Sequence, residues 1–224
     1  MSLFAVSTSE CVSASDRTGV RRAIASILIA GFLTVLHAIP VVASNEFAPS
    51  SVEKGALLVA SPSLKDPNFR HAVVLIMEHG HRGTLGLVLN RSTKILLSEA
   101  LPDLPVLKGT SYRVFAGGPV EPGRLLLLFR LKEPPAGSRL IFDGVYVGDT
   151  PKILEGIVTQ AKPADSFRAF AGSALWAPGQ LKYEMLQGAW AVLPPDSTGI
   201  FDHNPATFWQ DCISRLAEPR VISY

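Results

Sequence analysis

VVLIMEHGHRGTLGLVLN, residues 73–90, decides the fold. It holds two continuous apolar runs, Val73–Met77 and Leu85–Leu89, joined by Glu78–Gly83 with Gly80 and Gly83 in the turn. Runs this short and this rich in β-branched residues read as strands buried on both faces, paired as a hairpin. Working upstream, Ala56–Ala60 reads as another strand, followed by turn chemistry at Ser61-Pro62 and Asp66-Pro67-Asn68. Downstream, Ser98–Leu101 reads as a helical turn stopped by Pro102. Tyr112–Ala116, the loop Gly117-Gly118-Pro119 and Leu125–Leu131 form a second strand-loop-strand unit, and Leu140–Val147 is one further strand.

Helices cluster late. Thr150 as N-cap and Pro151 at the first helical position open one, with Ile153, Leu154, Ile157, Val158 and Ala161 on one face. After a short strand at Arg168–Ala171, Pro178 starts a second helix in which Leu181 and Met185 face inward and Gly188 is the stop. Ala189–Leu193 returns as a strand. Asn204-Pro205 opens a last helix with Phe208, Trp209, Cys212, Ile213 and Leu216 as its apolar stripe. The pattern predicts a mixed α/β (α+β) fold: one compact domain over residues 44–224, with a mostly antiparallel curved sheet or pseudo-barrel and about three helices. No internal repeat or linker interrupts it.

Residues 1–43 read as a separate object. Arg17, Arg21 and Arg22 precede the uncharged stretch Ala23–Ile39, and Pro40 is followed by Val41-Val42-Ala43. Basic, apolar and small-residue regions in that order make a signal peptide cleaved after Ala43. The alternatives are an uncleaved inner-membrane anchor, the one route to a membrane, and a misassigned start codon, which leaves a cytoplasmic protein. A leader cleaved there removes Cys11 and leaves Cys212 as the one cysteine of the remainder, so no intramolecular disulfide or cysteine-rich metal site is expected. The whole chain of 224 residues carries a net charge of +2, which gives no support to a nucleic-acid partner. Apolar content of 47% excludes a disordered chain.

Several clusters could carry chemistry, and each has a structural reading beside it. Glu78-His79-Gly80-His81 could hold a metal, against a solvated turn. Asp202-His203 could be an acid-base pair, against capping of the last helix. Asp66 and His71 near Ser61 and Ser63 suggest a hydrolase triad, but no G-x-S-x-G elbow accompanies them. Gly117-Gly118-Pro119-Val120 could cradle a phosphate, but it lacks the lysine and the helix of a P-loop, and a tight inter-strand loop is the alternative. Cys212 reads as an inert core thiol, and Trp176, Trp190 and Trp209 as core anchors. No motif calls for a metal or a cofactor.

Blocks in order along the chain carry a resemblance. They are Gly55–Ser61 with Pro62, Leu64, Asp66, Pro67, Asn68 and Phe69; Val73–His79 with Gly83, Gly86 and Asn90; Phe115–Val120; Phe170–Gly172; Trp176 with Pro178–Leu181 and Glu184; and Gly188 with Trp190. Together they resemble the YqgE/AlgH family of bacterial proteins. Ser92, Ser173, Leu175, Ala177 and Lys182 depart from its usual residues. The resemblance implies a compact mixed α/β pseudo-barrel, no established biochemical activity, a transcriptional-regulator label without a DNA-binding element, and a cytoplasmic location at odds with the leader. The expected function is non-enzymatic binding of a protein or small-molecule partner, with a regulatory role by resemblance alone. Its binding residues would be Ser61, Asp66, Asn90, Gly117, Gly118, Trp176, Gln180 and Glu184. The rival is an enzyme whose polar loops Ser61–Phe69, Asn90 and Gly117–Val120 converge at one end of the sheet. A deep pocket joining Asp66, Asn90 and Gln180 would favour the enzyme.

Overall fold

Ten strands of four to eleven residues form one sheet in a computed structural model that describes residue 47, residues 51–160 and residues 166–217. The strands are β1 (Leu57–Ala60), β2 (Val73–Gly80), β3 (Gly83–Val88), β4 (Ser92–Leu96), β5 (Arg113–Ala116), β6 (Val120–Arg130), β7 (Arg139–Phe142), β8 (Val145–Gly148), β9 (Phe167–Trp176) and β10 (Trp190–Leu193). The helices are α1 (Leu97–Ala100), α2 (Pro151–Val158), α3 (Gln180–Leu186), α4 (Ser197–Asp202) and α5 (Phe208–Ala217), with a 3₁₀ turn at Pro105–Leu107. Strand order is β10-β1-β2-β3-β9-β6-β8-β7, and β5 branches from β9 with β4 beyond it. Every pairing is antiparallel except β5 with β9. The expected leader, residues 1–43, lies outside the described residues. Among the described residues no helix is long and apolar enough to cross a membrane.

The hairpin β2–β3 forms as its sequence dictates, with all five residues Val73–Met77 fully buried. Period-two alternation sends Leu57, Val59, Leu75 and Met77 to one core and Leu58, Ala60, Val74 and Ile76 to another. The first core is closed by Phe208, Cys212 and Leu216 of α5, the second by Leu181 and Met185 of α3. A third core gathers Ile153, Leu154 and Ile157 of α2 under β5, β6 and β9. Both faces of the β1–β3 region are covered, which is why those strands carry no polar alternation. The sheet curls far enough for its edge strand β7 to come back beside β2. Lys54 Nζ donates to the Leu140 carbonyl at 2.6 Å, and Arg139 pairs with Glu78.

Several elements differ from the sequence expectation, among them the unexpected strand β4 and the start of β6 at Val120 instead of Leu125. Leu140–Val147 is not one strand: Asp143 (φ 36°) and Gly144 (φ 74°) turn it into the hairpin β7–β8, with positive φ at both central residues as a type I′ hairpin turn requires. The short strand at Arg168–Ala171 is the ten-residue β9 at the heart of the sheet. Pro178 precedes the N-cap of α3, which is Gly179 at φ 80°. Asp202 ends α4, a helix absent from the expectation, and His203 is its C-cap; neither caps α5. There the Asn204 side chain takes the Ala206 N–H at 3.0 Å. The caps expected at Thr150 and Pro151 are in place, with Thr150 Oγ1 accepting from the Ile153 N–H at 3.3 Å.

Cys212 is fully buried, and desolvation pushes its thiol up from 9.0 to about 11. Arg215 opposes that shift, while Asp211 and Asp196 add to it. A folded-state pKa above the unfolded one favours the fold below about pH 9, and that contribution fades as pH climbs toward 11. Native protein at pH 8 is therefore expected to resist iodoacetamide and to react only as fast as it unfolds. Rapid stoichiometric labelling without denaturant would refute a core position.

Candidate functional site

A carboxylate between two indoles accepts three side-chain hydrogen bonds. Trp176 ends β9 and Trp190 begins β10; both are buried, and their rings meet edge-on at 5.8 Å. Their Nε1–H groups converge on one oxygen, Glu184 Oε2, at 3.0 and 2.8 Å. The other oxygen, Oε1, accepts from the Gln180 amide at 3.0 Å, and Gln180 Oε1 accepts from the Ala177 N–H at 3.0 Å. The helical spacing of Gln180 and Glu184 puts both side chains on one face of α3. Phe69 completes the cluster, stacked on Trp176 at 5.5 Å and edge-on to Trp190 at 5.6 Å. Burying two indoles requires an acceptor for each N–H. Glu184 supplies both at once.

Phe69 ties the loop between β1 and β2 to that cluster, and Asn90 and Arg91 hold the loop from the other side. Asn90 Oδ1 accepts from the Val73 N–H at 3.0 Å while its amide donates to the His71 carbonyl at 2.8 Å. Arg91 donates to the carbonyls of Pro67 and Arg70 at 3.1 and 3.2 Å. Within the loop, Asp66 Oδ1 accepts from the Asn68 N–H at 2.8 Å, and Ser61 Oγ meets Ser63 Oγ at 2.8 Å. His71 lies on Trp209 at 4.2 Å between ring centres. Asp66 is exposed, so Asp66→Ala is expected to cost about 1 kcal/mol, the scale of a lost capping bond. Urea midpoints measure it. An unchanged midpoint with loss of ligand binding or turnover would make Asp66 a functional group instead.

Gly117 and Gly118 sit where β9 changes neighbours. Ala169–Ala171 of β9 pair with β5, whereas Ala174–Trp176 pair with β3. At the handover a Cβ on Gly117 would lie 2.3 Å from the Gly172 carbonyl oxygen, and one on Gly118 2.3 Å from the Ser173 backbone. The Gly117 N–H is taken by the Ala171 carbonyl at 2.8 Å. These glycines serve backbone contact rather than a phosphate cradle. Glu78 pairs with Arg139, and His79 Nδ1 meets Thr84 Oγ1 at 2.7 Å. Among the described residues no group of three His, Cys, Asp or Glu stands together to hold a metal.

A cleft of about 240 Å³ opens elsewhere, lined by Ser111, Tyr112, Arg113, Phe115, Phe167, Arg168, Ala169 and Pro205. It contains none of Asp66, Asn90 and Gln180. It lies where β5 and β9 begin side by side, and that parallel pairing (Val114 opposite Ala169) brings together arginines distant in sequence. Sequence reasoning passed over it because neither Arg113 nor Arg168 stands in a motif; only the strand partner reveals the pair.

Comparison with known proteins gives a consistent result. The AlgH-like family profile matches residues 57–220. A UPF0301 protein of Streptomyces avermitilis is 36% identical over 170 residues, covering 72% of this chain and 85% of that protein. One of Xylella fastidiosa is 32% identical over 172 residues, covering 75% and 91%. The crystal structure of DIP2367 from Corynebacterium diphtheriae superposes with a TM-score of 0.64 at 23% identity over 76% of this chain and 90% of that one, a likeness of fold alone. The solution structure of AlgH from Pseudomonas aeruginosa, UPF0301, gives 0.62 at 27% identity, covering 76% and 94%.

Proposed function

The chain belongs to the AlgH-like family, and from that premise we propose that it is a non-catalytic binding module. One observation carries the reading: the polar side chains best suited to chemistry are spent on the fold. Both oxygens of Glu184 and both polar atoms of the Asn90 amide hold structural bonds, and Asp66 and Ser61 brace their own loop. General acid-base or nucleophilic catalysis needs such a group poised toward a substrate. Ser61, Asp66, Asn90, Gly117, Gly118, Trp176, Gln180 and Glu184 enter this proposal as the frame that fixes a binding surface. A ligand-observed magnetic-resonance screen tests it. Bound fragments are expected to come back chemically unchanged after long incubation. Protein-dependent consumption of a fragment, abolished by Asn90→Ala in a variant that still folds, would make the protein an enzyme.

The proposal extends to location, where residues 1–43 act as an export leader. The support is the order of Arg21-Arg22, the uncharged stretch Ala23–Ile39 and the small residues Val41 and Ala43. Intact-mass measurement on protein from its native host is expected to give an N-terminus at Ser44. A soluble cytosolic product that retains residues 1–43 would refute export.

A further inference from the structure

We propose that two histidines form a proton-dependent clasp on α5, the helix that closes the first core. This goes beyond the binding-module reading and stands without it. His71 ends the loop before β2, and His203 links α4 to α5. Their imidazoles land on consecutive residues at the start of α5. The ring of His203 stacks on Phe208, with centres 4.8 Å apart and planes 21° apart. The ring of His71 lies on Trp209 at 4.2 Å, with planes 34° apart.

Histidine is the side chain whose charge ordinarily changes between pH 5 and 8. Three contacts strengthen when these two imidazoles take up a proton. His203 Nδ1 stands 3.7 Å from Asp211 Oδ2. That is too far for a hydrogen bond, and it becomes an ion pair only on protonation. The Thr207 hydroxyl donates to the same Asp211 oxygen at 3.0 Å and so holds the carboxylate in place. Both imidazoles also lie against aromatic rings, and a cation over a ring face is attracted by its quadrupole.

Each histidine is anchored away from α5. His71 has φ 58°, and its carbonyl accepts from the Asn90 amide at 2.8 Å. His203 is the C-cap of α4, whose Ile200 and Phe201 are buried. The element that responds is therefore α5, which is otherwise held by its apolar stripe and by the Trp209 N–H donated to the Ala60 carbonyl at 2.8 Å.

The other charged groups make the two halves unequal. Asp202, next to His203, pairs with Arg130 at 3.8 Å, and Arg215 of α5 pairs with Asp196 at 3.0 Å. Arg70 and Arg91 stand beside His71, since Arg91 donates to the Arg70 carbonyl at 3.2 Å, and Asp66 lies in the same loop. Two cations work against a charge on His71, so His203 with Asp211 carries the larger share. Pro205, between His203 and Phe208 in the chain, lines the cleft at the start of β5 and β9, so the clasp also sets one wall of that cleft.

Amide hydrogen exchange of the full chain at pH 5.5 and pH 8.0, corrected for the intrinsic rate at each pH, tests this. Protection of the amides of residues 212–216 is expected to be about fivefold higher at pH 5.5, the combined scale of an exposed ion pair and a cation over a ring. The β2–β3 amides are the internal reference and should not share the change. Asp211→Asn is expected to remove more than half of the difference, His71→Asn the smaller remainder, and the double variant all of it. Asparagine tolerates the positive φ at position 71. His79→Gln, in the β2–β3 hairpin, should leave the difference intact. His71 is exposed and Asp211 half-buried, so the variants are expected to keep the native circular-dichroism spectrum; if one does not, the wild-type comparison between the two pH values decides alone. Equal protection of α5 at both pH values, a difference shared by the whole sheet, or a folded double variant that keeps the difference would overturn the proposal.

Discussion

Trp176→Ala is expected to lower the unfolding free energy by about 3–5 kcal/mol. The ring is 1% exposed, stacked on Phe69 and edge-on to Trp190, with Leu181 and Met185 in the same core. Removing it opens a cavity that three other elements border, and each of them is held elsewhere. Leu58 and Ile76 belong to paired strands, and α3 is tied through Glu184 to Trp190. Collapse into the space is therefore restricted, which keeps the cost within the range for aromatic truncation. The polar loss is smaller, because Glu184 keeps the Trp190 N–H and the Gln180 amide. Trp176→Phe separates the two effects: it keeps most of the volume, loses the indole donor, and is expected to cost less than half as much. Urea denaturation measures both. A Trp176→Ala protein with a wild-type midpoint, or native Trp176 fluorescence open to quencher, would show that the indole is not a core anchor.

Gly118→Ala is expected to cost about 2–5 kcal/mol, from overpacking and from backbone strain together. Gly118 has φ 149°, and a Cβ there would lie 2.3 Å from both the carbonyl carbon and oxygen of Ser173. Those atoms belong to β9, the strand that contacts β3, β5 and β6, so they cannot retreat without disturbing three ladders. Gly144→Ala is the control. Gly144 also has positive φ, 74°, but nothing lies within 4 Å of its Cβ position, and its substitution should cost about 1–2 kcal/mol from conformation alone. If the two variants unfold at the same urea concentration, the crowding at the β3–β5 handover is not what Gly118 relieves.

The candidate site divides in the same way between local and distant causes. Asp66 could be named from its residue type beside a turn signal, because an Asx side chain at a turn bonds to nearby backbone, whereas Asn90 was named through the family resemblance. That Asn90 clamps Val73 and His71 depends on the β2–β3 hairpin returning it to the start of β2. Trp176, Gln180 and Glu184 were grouped through the resemblance of their block to the AlgH-like family, not through local spacing. Trp190 stood in the same late block, but its sharing of Glu184 Oε2 with Trp176 was not legible, since it needs β10 to pair with β1. The cleft at Arg113 and Arg168 was invisible for the same reason in stronger form.

The buried hairpin of residues 73–90, the helices opened by Thr150-Pro151 and Asn204-Pro205, and the mixed, mostly antiparallel class could be read from the order of residues alone. These follow from local periodicity and capping, which act over a few residues. The partners of β9, the hairpin curled back against β2, and the meeting of two arginines at the cleft come from the folded chain. Strand pairing is non-local. Phe167–Trp176 carries no signal for which strands flank it, because its neighbours are set by how three separate cores close around it.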